Sequence, residues 1–216
     1  MSTNHGFKPR LFRGLAIAAA GFSLVAGCGL AGAEERPSES QIVKALQAPS
    51  VARSLTGAPS PNDVKRQNLI NGLRSASKTR SLSGEERDQL AAVVKERPSI
   101  DLEIYFDYNS AQITSRATPD LVSLGRALTD ADLKGGVYLV AGHTDAKGSA
   151  EYNQQLSERR AQAVRDFLVR RFQIRDDTLV VAGYGKEQLK DTANPFAAQN
   201  RRVQITNLES KQETGN

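Results

Sequence analysis

Between Gly135 and Leu168 the chain reads as a buried strand, a tight polar loop and a long helix, and the helix carries an arginine inside its apolar stripe. Gly135-Gly136 break the preceding segment, and Val137-Tyr138-Leu139-Val140-Ala141 is an apolar run suited to a buried strand. His143-Thr144-Asp145 stands at its C-terminal end. Lys147-Gly148-Ser149 supplies turn residues, so a helix is expected to start near Ser149 or Ala150. On a helical wheel Leu156, Ala163, Val164, Phe167 and Leu168 share one face, and Arg160 lies among them because it is four residues from both Leu156 and Val164. Arg159 points away, toward solvent. An unpaired buried charge is very costly, so Arg160 requires a partner or an exit to water. Asp145, carried to the head of the same helix by the loop, is the nearest candidate. Such a pair either braces the helix as an internal ion pair or grips a zwitterion, the carboxylate taking an ammonium and the guanidinium a carboxylate.

The stretch GHTDAKGSAEYNQQLSERRAQAV, with Thr144-Asp145, Gly148, Tyr152-Asn153, Leu156-Ser157, Arg160-Ala161 and Val164 at fixed spacing, resembles the signature of the OmpA-like domain, a periplasmic module that binds peptidoglycan. Phe106-Asp107, Ser110-Ala111 and Ile113 resemble the start of the same domain, and Asn200-Arg201-Arg202-Val203 with Ile205 its closing strand. The resemblance covers residues 100–208. It departs at Gly185-Lys186-Glu187-Gln188-Leu189, where many relatives carry a proline and this chain has none. The resemblance implies that Asp145 and Arg160 hold the ammonium and carboxylate of diaminopimelate in the peptidoglycan stem. Thr144, Asn153 and Asn109 join them as candidate ligand-binding residues.

The elements around the motif fit one fold. Leu102-Glu103-Ile104-Tyr105-Phe106 alternates as a half-buried strand does, and Asp107-Tyr108-Asn109-Ser110 ends it as a turn. Pro119 suits the first turn of a helix running through Leu121, Leu124 and Leu128. Leu179-Val180-Val181-Ala182 reads as a strand before Gly183-Tyr184-Gly185, and Arg201 to Thr206 as the last strand. The order strand, helix, strand, helix, strand, strand implies an α+β sandwich. Two main helices pack on one face of a mixed β-sheet of about four strands.

The first 33 residues read as a secretory signal. Lys8, Arg10 and Arg13 precede an apolar segment from Leu15 to Val25 that is too short to span a bilayer. Leu24-Val25-Ala26-Gly27-Cys28 resembles a lipobox, which would make a lipidated Cys28 the mature N-terminus. Ala31-Gly32-Ala33 is a competing site for ordinary signal peptidase. The lipoprotein reading is preferred because Cys28 is the only cysteine and ends the apolar run. The net charge of +5 shrinks once the signal is set aside: its three basic residues leave 26 Lys and Arg against 24 Asp and Glu. With no tryptophan and no interleaved basic and aromatic residues, nucleic acid is not an expected partner.

Residues 34–99 read as a linker with short helices. Ser38 or Ser40 can cap a helix through Leu46, and Ser83 with Glu86 forms a capping box for a helix through Val94. Pro49, Gly57, Pro59 and Pro61 argue for extended chain. Arg53-Ser54-Leu55-Thr56-Gly57 and Arg80-Ser81-Leu82-Ser83-Gly84 are similar, but two short copies make no repeat architecture. Residues 209–216 read as a disordered tail.

Catalysis is not expected. Outside the signal the only histidine is His143, and a hydrolytic zinc site needs about three protein ligands. No nucleophile elbow G-x-S-x-G is present. His143 is expected at a strand end with its ring hydrogen-bonded within the fold. The resemblance, taken with the signal, implies a non-catalytic cell-envelope protein without a cofactor, lipid-anchored at the periplasmic face of the outer membrane of a Gram-negative cell and bound to diaminopimelate-type peptidoglycan. The alternatives are a soluble periplasmic species, and an envelope assembly protein that uses the same domain on a protein partner.

Overall fold

A computed structural model describes residues 36–47, 61–95, 97–107 and 109–209. Cys28 and the rest of the signal lie outside these residues, as do Pro49, Pro59, the segment Arg53–Gly57 and residues 210–216. Nine elements organise the described chain: helices α1 (Glu39–Leu46), α2 (Pro61–Thr79) and α3 (Gly84–Val94), strand β1 (Ser99–Leu102), helix α4 (Thr118–Thr129), strand β2 (Val137–Gly142), helix α5 (Ala150–Phe172), and strands β3 (Leu179–Gly183) and β4 (Val203–Glu209).

The strands form one mixed sheet in the order β1-β4-β2-β3. β4 runs antiparallel to both β1 and β2, while β2 and β3 are parallel, with α5 as the crossover between them. Every residue of β2 and β3 is buried. Continuous apolar strands of this kind are buried on both faces of a sheet, and both faces are indeed covered.

One face carries α1, α4 and α5. Ile42 and Leu46 from α1, Leu121, Leu124 and Leu128 from α4, and Ala161, Val164 and Leu168 from α5 pack on Tyr138, Val140, Val181 and Ile205. The other face carries α2 and α3, whose Ile70, Leu73 and Leu90 pack with Leu82 on Leu139, Val180, Ala182 and Leu208. Residues 36–98 are therefore no free linker where described. Their helices supply part of both cores, and polar ties fix them: Arg74 donates to the Asp177 carbonyl at 2.8 Å and Asn207 to the Leu46 carbonyl at 2.9 Å.

The cap residues behave as the sequence predicts. Ser38 closes a capping box with Gln41, and Ser83 one with Glu86. Pro61 opens α2 instead of extending a linker, because a proline in the first turn forfeits no helical hydrogen bond. β1 ends at Leu102, earlier than the alternation Leu102–Phe106 suggests. Leu102 and Ile104 both reach the core, but among the described residues between Leu102 and α4 the only pairing is the isolated bridge of Phe106 with Ile113.

Candidate functional site

β2 and α5 meet at a short loop, and backbone bonds set its course. His143 N–H donates to the Arg202 carbonyl at 3.0 Å, Thr144 N–H to the Gly185 carbonyl at 2.8 Å and Ala146 N–H to the Pro195 carbonyl at 3.0 Å. Gly148 adopts φ of 98°, a left-handed conformation that turns the chain into α5. The Ser149 hydroxyl then caps the helix by accepting from the Tyr152 N–H at 3.1 Å. Asn153 is buried on the first turn and donates its side-chain amide to the Lys147 carbonyl at 2.9 Å. The loop is thus held from three sides before any ligand arrives.

Asp145 accepts the Lys147 N–H through Oδ1 at 3.1 Å and pairs through Oδ2 with Arg201 Nη1 at 2.9 Å. Of the two readings of the pair, the internal ion pair of Asp145 with Arg160 is not formed. Arg160 is buried as its place in the stripe requires, whereas Arg159 is exposed. The Arg160 guanidinium donates from Nε to the Ser110 carbonyl at 3.0 Å and makes a long contact from Nη2 to the Asp107 carbonyl at 3.5 Å. It lies 4.9 Å above the Phe106 ring. Carbonyl dipoles and an aromatic face stabilise the cation without cancelling its charge. Burial lowers its pKa, but an arginine remains protonated in such a setting. Among the described residues Arg160 has no carboxylate partner.

Both groups open into one cleft of about 680 Å³. Thr144, Asn109 and Asn153 line it as well, so all five candidate residues share the same concavity. Thr144 is buried and its hydroxyl has no hydrogen-bond partner. Asn109 sits at φ of 53°, and its side-chain Oδ1 accepts the Tyr152 hydroxyl at 2.6 Å. Sequence reasoning did not single out Arg201, Phe106 or Phe196 as cleft residues, although all three line it. Arg201 had a signal, since it stands in the Asn-Arg-Arg motif. Phe196 had none.

His143 stands at the strand end as expected, and its ring is buried and stacks on Tyr184, with centroids 5.5 Å apart. Burial, reinforced by the charge of Arg202, lowers its pKa from 6.5 to about 3. The unfolded chain therefore takes up a proton near pH 6.5 that the folded chain refuses. This stability contribution is complete above that pH and is lost as pH falls toward 3, at about 1.4 kcal/mol per pH unit. The melting temperature is expected to drop between pH 7 and pH 4.5 by more in the native protein than in His143→Phe, which keeps an aromatic stack and cannot titrate. Identical slopes would count against a neutral buried imidazole. Asp101 contributes in the same direction in both proteins, because Lys190 and Arg202 outweigh burial and hold its carboxyl below the usual range.

Among the described residues no cluster of three or more His, Cys, Asp or Glu is placed to hold a metal. Among the same residues no helix is long and apolar enough to cross a membrane.

Residues 105–202 match the OmpA family model. Over 105 residues the chain is 38% identical to a peptidoglycan-associated lipoprotein of Pseudomonas aeruginosa, a match covering 47% of this chain and 59% of that protein. It is 34% identical over 113 residues to outer membrane porin F of the same organism, covering 51% of this chain and 32% of the porin. A solved structure of the peptidoglycan-associated lipoprotein from Burkholderia pseudomallei is 29% identical, with 53% of this chain and 92% of that one covered and a TM-score of 0.41. The chain thus spans only part of the length of these curated relatives. The matched segment begins at Tyr105, just ahead of the Phe106–Ile113 bridge, ends at Arg202 and contains the whole cleft, and through it this chain carries a domain of the OmpA family.

Proposed function

We propose that the cleft binds the diaminopimelate stem of peptidoglycan without catalysing a reaction, and that the protein tethers the outer membrane to the cell wall. The observation that carries this reading is a buried arginine without a carboxylate partner that opens, beside an aspartate, into one cleft. Arg160 would grip the carboxylate of the diamino acid, and Asp145 would take its ammonium in exchange for Arg201. Thr144, with its unpartnered hydroxyl, and the amides of Asn109 and Asn153 offer further polar contacts to the stem. The names of the relatives, an outer membrane porin and a peptidoglycan-associated lipoprotein, support the same setting.

The choice of stem tests the chemistry. Lysine-type stems lack the second carboxylate, so binding them would leave Arg160 desolvated and unmatched at a cost of about 1–3 kcal/mol. Sacculi built on diaminopimelate are expected to retain the protein, and lysine-type sacculi to retain several-fold less. Equal retention would remove the ligand assignment.

The membrane end of the tether rests on Cys28, which the proposal takes as lipidated. A multi-chain anchor contributes about 0.8 kcal/mol per buried methylene, so the native protein is expected to stay with membranes through high-salt washing. Cys28→Ser is expected to lose that retention. A mature chain beginning at Glu34, read by mass measurement, would overturn the anchor and leave the wall-binding proposal intact.

A further inference from the structure

Three large hydrophobic side chains stand exposed among the described residues: Val64, Tyr152 and Phe196. Two of the three line the same cleft, and Phe196 is 68% exposed. A single exposed apolar residue is ordinary on a protein surface. Phe196 differs in how firmly its loop is held. The Asp191 carboxylate accepts from the backbone and side-chain N–H groups of Asn194, both at 2.9 Å, and from Gln199 at 2.8 Å. Asn200 is fully buried, accepts the Asp191 N–H at 2.8 Å and donates to the carbonyls of Asp191, Asn194 and Pro195. The Pro195 carbonyl also accepts the Ala146 N–H, which ties this loop to the residue next to Asp145. The backbone that carries Phe196 is thus held in place at the cleft, and its ring is left largely in water. Holding an apolar group pre-organised where a ligand must pass lowers the ordering cost of binding.

We propose that Phe196 is a specificity-determining residue that packs on the alkyl chain of the bound diamino acid. The inference rests on the reading of the cleft given above. With the ammonium at Asp145 and the carboxylate at Arg160, one end of the ligand is fixed by charge. Its methylene chain then needs apolar contact; Phe106 lies under the Arg160 guanidinium and Leu156 is buried, which leaves the exposed rings of the cleft to supply it. Phe196, next in sequence to the residue bonded to Ala146, supplies that contact beside Asp145. The exposed ring of Tyr152, whose hydroxyl is held by Asn109, extends the apolar rim. The aromatic surface would favour a ligand that carries a hydrocarbon chain behind its zwitterionic end.

The test is calorimetric titration of the whole chain with free diaminopimelate, across a range of temperatures. Phe196→Ala is expected to bind about ten-fold more weakly, as loss of one apolar contact on a short alkyl chain would give. Its heat-capacity change of binding should also be less negative, because less apolar surface is buried. Phe196→Leu is expected to recover most of both. Melting temperatures should match, since the side chain is exposed. Equal affinity and heat-capacity change in the native protein and Phe196→Ala would overturn the inference and leave the charged site standing. No binding by the native protein would overturn the site reading and this inference together.

Discussion

Arg160→Ala should abolish retention on diaminopimelate-type sacculi while the domain stays folded. Among the described residues the guanidinium is the one buried cation that lines the cleft, and its carbonyl partners leave its charge uncancelled. Removing one side of a desolvated charged contact costs about 2–5 kcal/mol, which takes a micromolar interaction beyond ordinary detection. The fold should tolerate the change better than the ligand does. No carboxylate is orphaned by it among the described residues; Asp107 lines the cleft and Ser110 is only half-buried, so water can replace the donors that their carbonyls lose. Asp145→Ala should also weaken binding, with a second consequence: Arg201 loses its partner at 2.9 Å and brings an uncompensated cation to the ammonium subsite. Arg159→Ala is the control, since Arg159 is exposed on the far side of α5. Circular dichroism and a pull-down on the same preparations decide the matter. Normal retention by folded Arg160→Ala and Asp145→Ala would rule out the proposed site.

Why the sequence disclosed α5 so fully and α2 not at all follows from what each helix buries. α5 has a loop with a cap before it and buries Leu156, Arg160, Val164 and Leu168 at regular spacing, so both its start and its inner face are written locally. Among the described side chains of α2 only Ile70 and Leu73 are fully buried, and the helix opens with the proline that most resembled linker punctuation. A clue to its existence lay elsewhere. Val137–Ala141 and Leu179–Ala182 are continuous apolar runs with no polar alternation, which a sheet covered on one face alone would not need. The cleft shows the same division. Burial of Arg160 could be read from its spacing, because helical periodicity fixes which face a residue occupies. The partner of Asp145 could not be, because Arg201 arrives 56 residues later at the edge of β4 and carries the same charge as the nearer candidate. Spacing orders neighbours along an element; it does not rank cations brought in by tertiary contact.

Gly142→Ala should be among the most destabilising single substitutions in the domain. Gly142 and Gly183 are paired across β2 and β3 at the carboxyl ends of the parallel strands, and α5 rests directly on them. A methyl group at Gly142 would stand 2.0 Å from the Ser157 carbonyl oxygen and 2.8 Å from its carbon. One at Gly183 would stand 2.6 Å from the Ser157 hydroxyl and 2.7 Å from the Glu158 nitrogen. The obstacle at Gly142 is helix backbone, which cannot swing aside as a side chain can, so α5 itself must lift. Overpacking of this kind costs about 1–3 kcal/mol and sometimes more, and a rigid obstacle argues for the upper end. The lift would also disturb the site. Ser157 accepts the Gly185 N–H at 2.9 Å, Gln154 donates to the Gly183 carbonyl at 2.8 Å, and Arg160 sits one turn further along the same helix. Displacing α5 relative to the Asp145 loop separates the two charged groups that the proposed ligand must reach together. Denaturant unfolding is therefore expected to show a large loss of stability, and ligand affinity to fall in whatever fraction remains folded. Gly72→Ala provides the opposite sign in the same assay. Gly72 lies within α2 with nothing within 4 Å of an added methyl, so alanine should stabilise the helix by up to about 1 kcal/mol. If Gly142→Ala were as stable as the native protein, the close seating of α5 on the paired glycines would be wrong, and with it the account of how the fold aims Arg160 into the cleft.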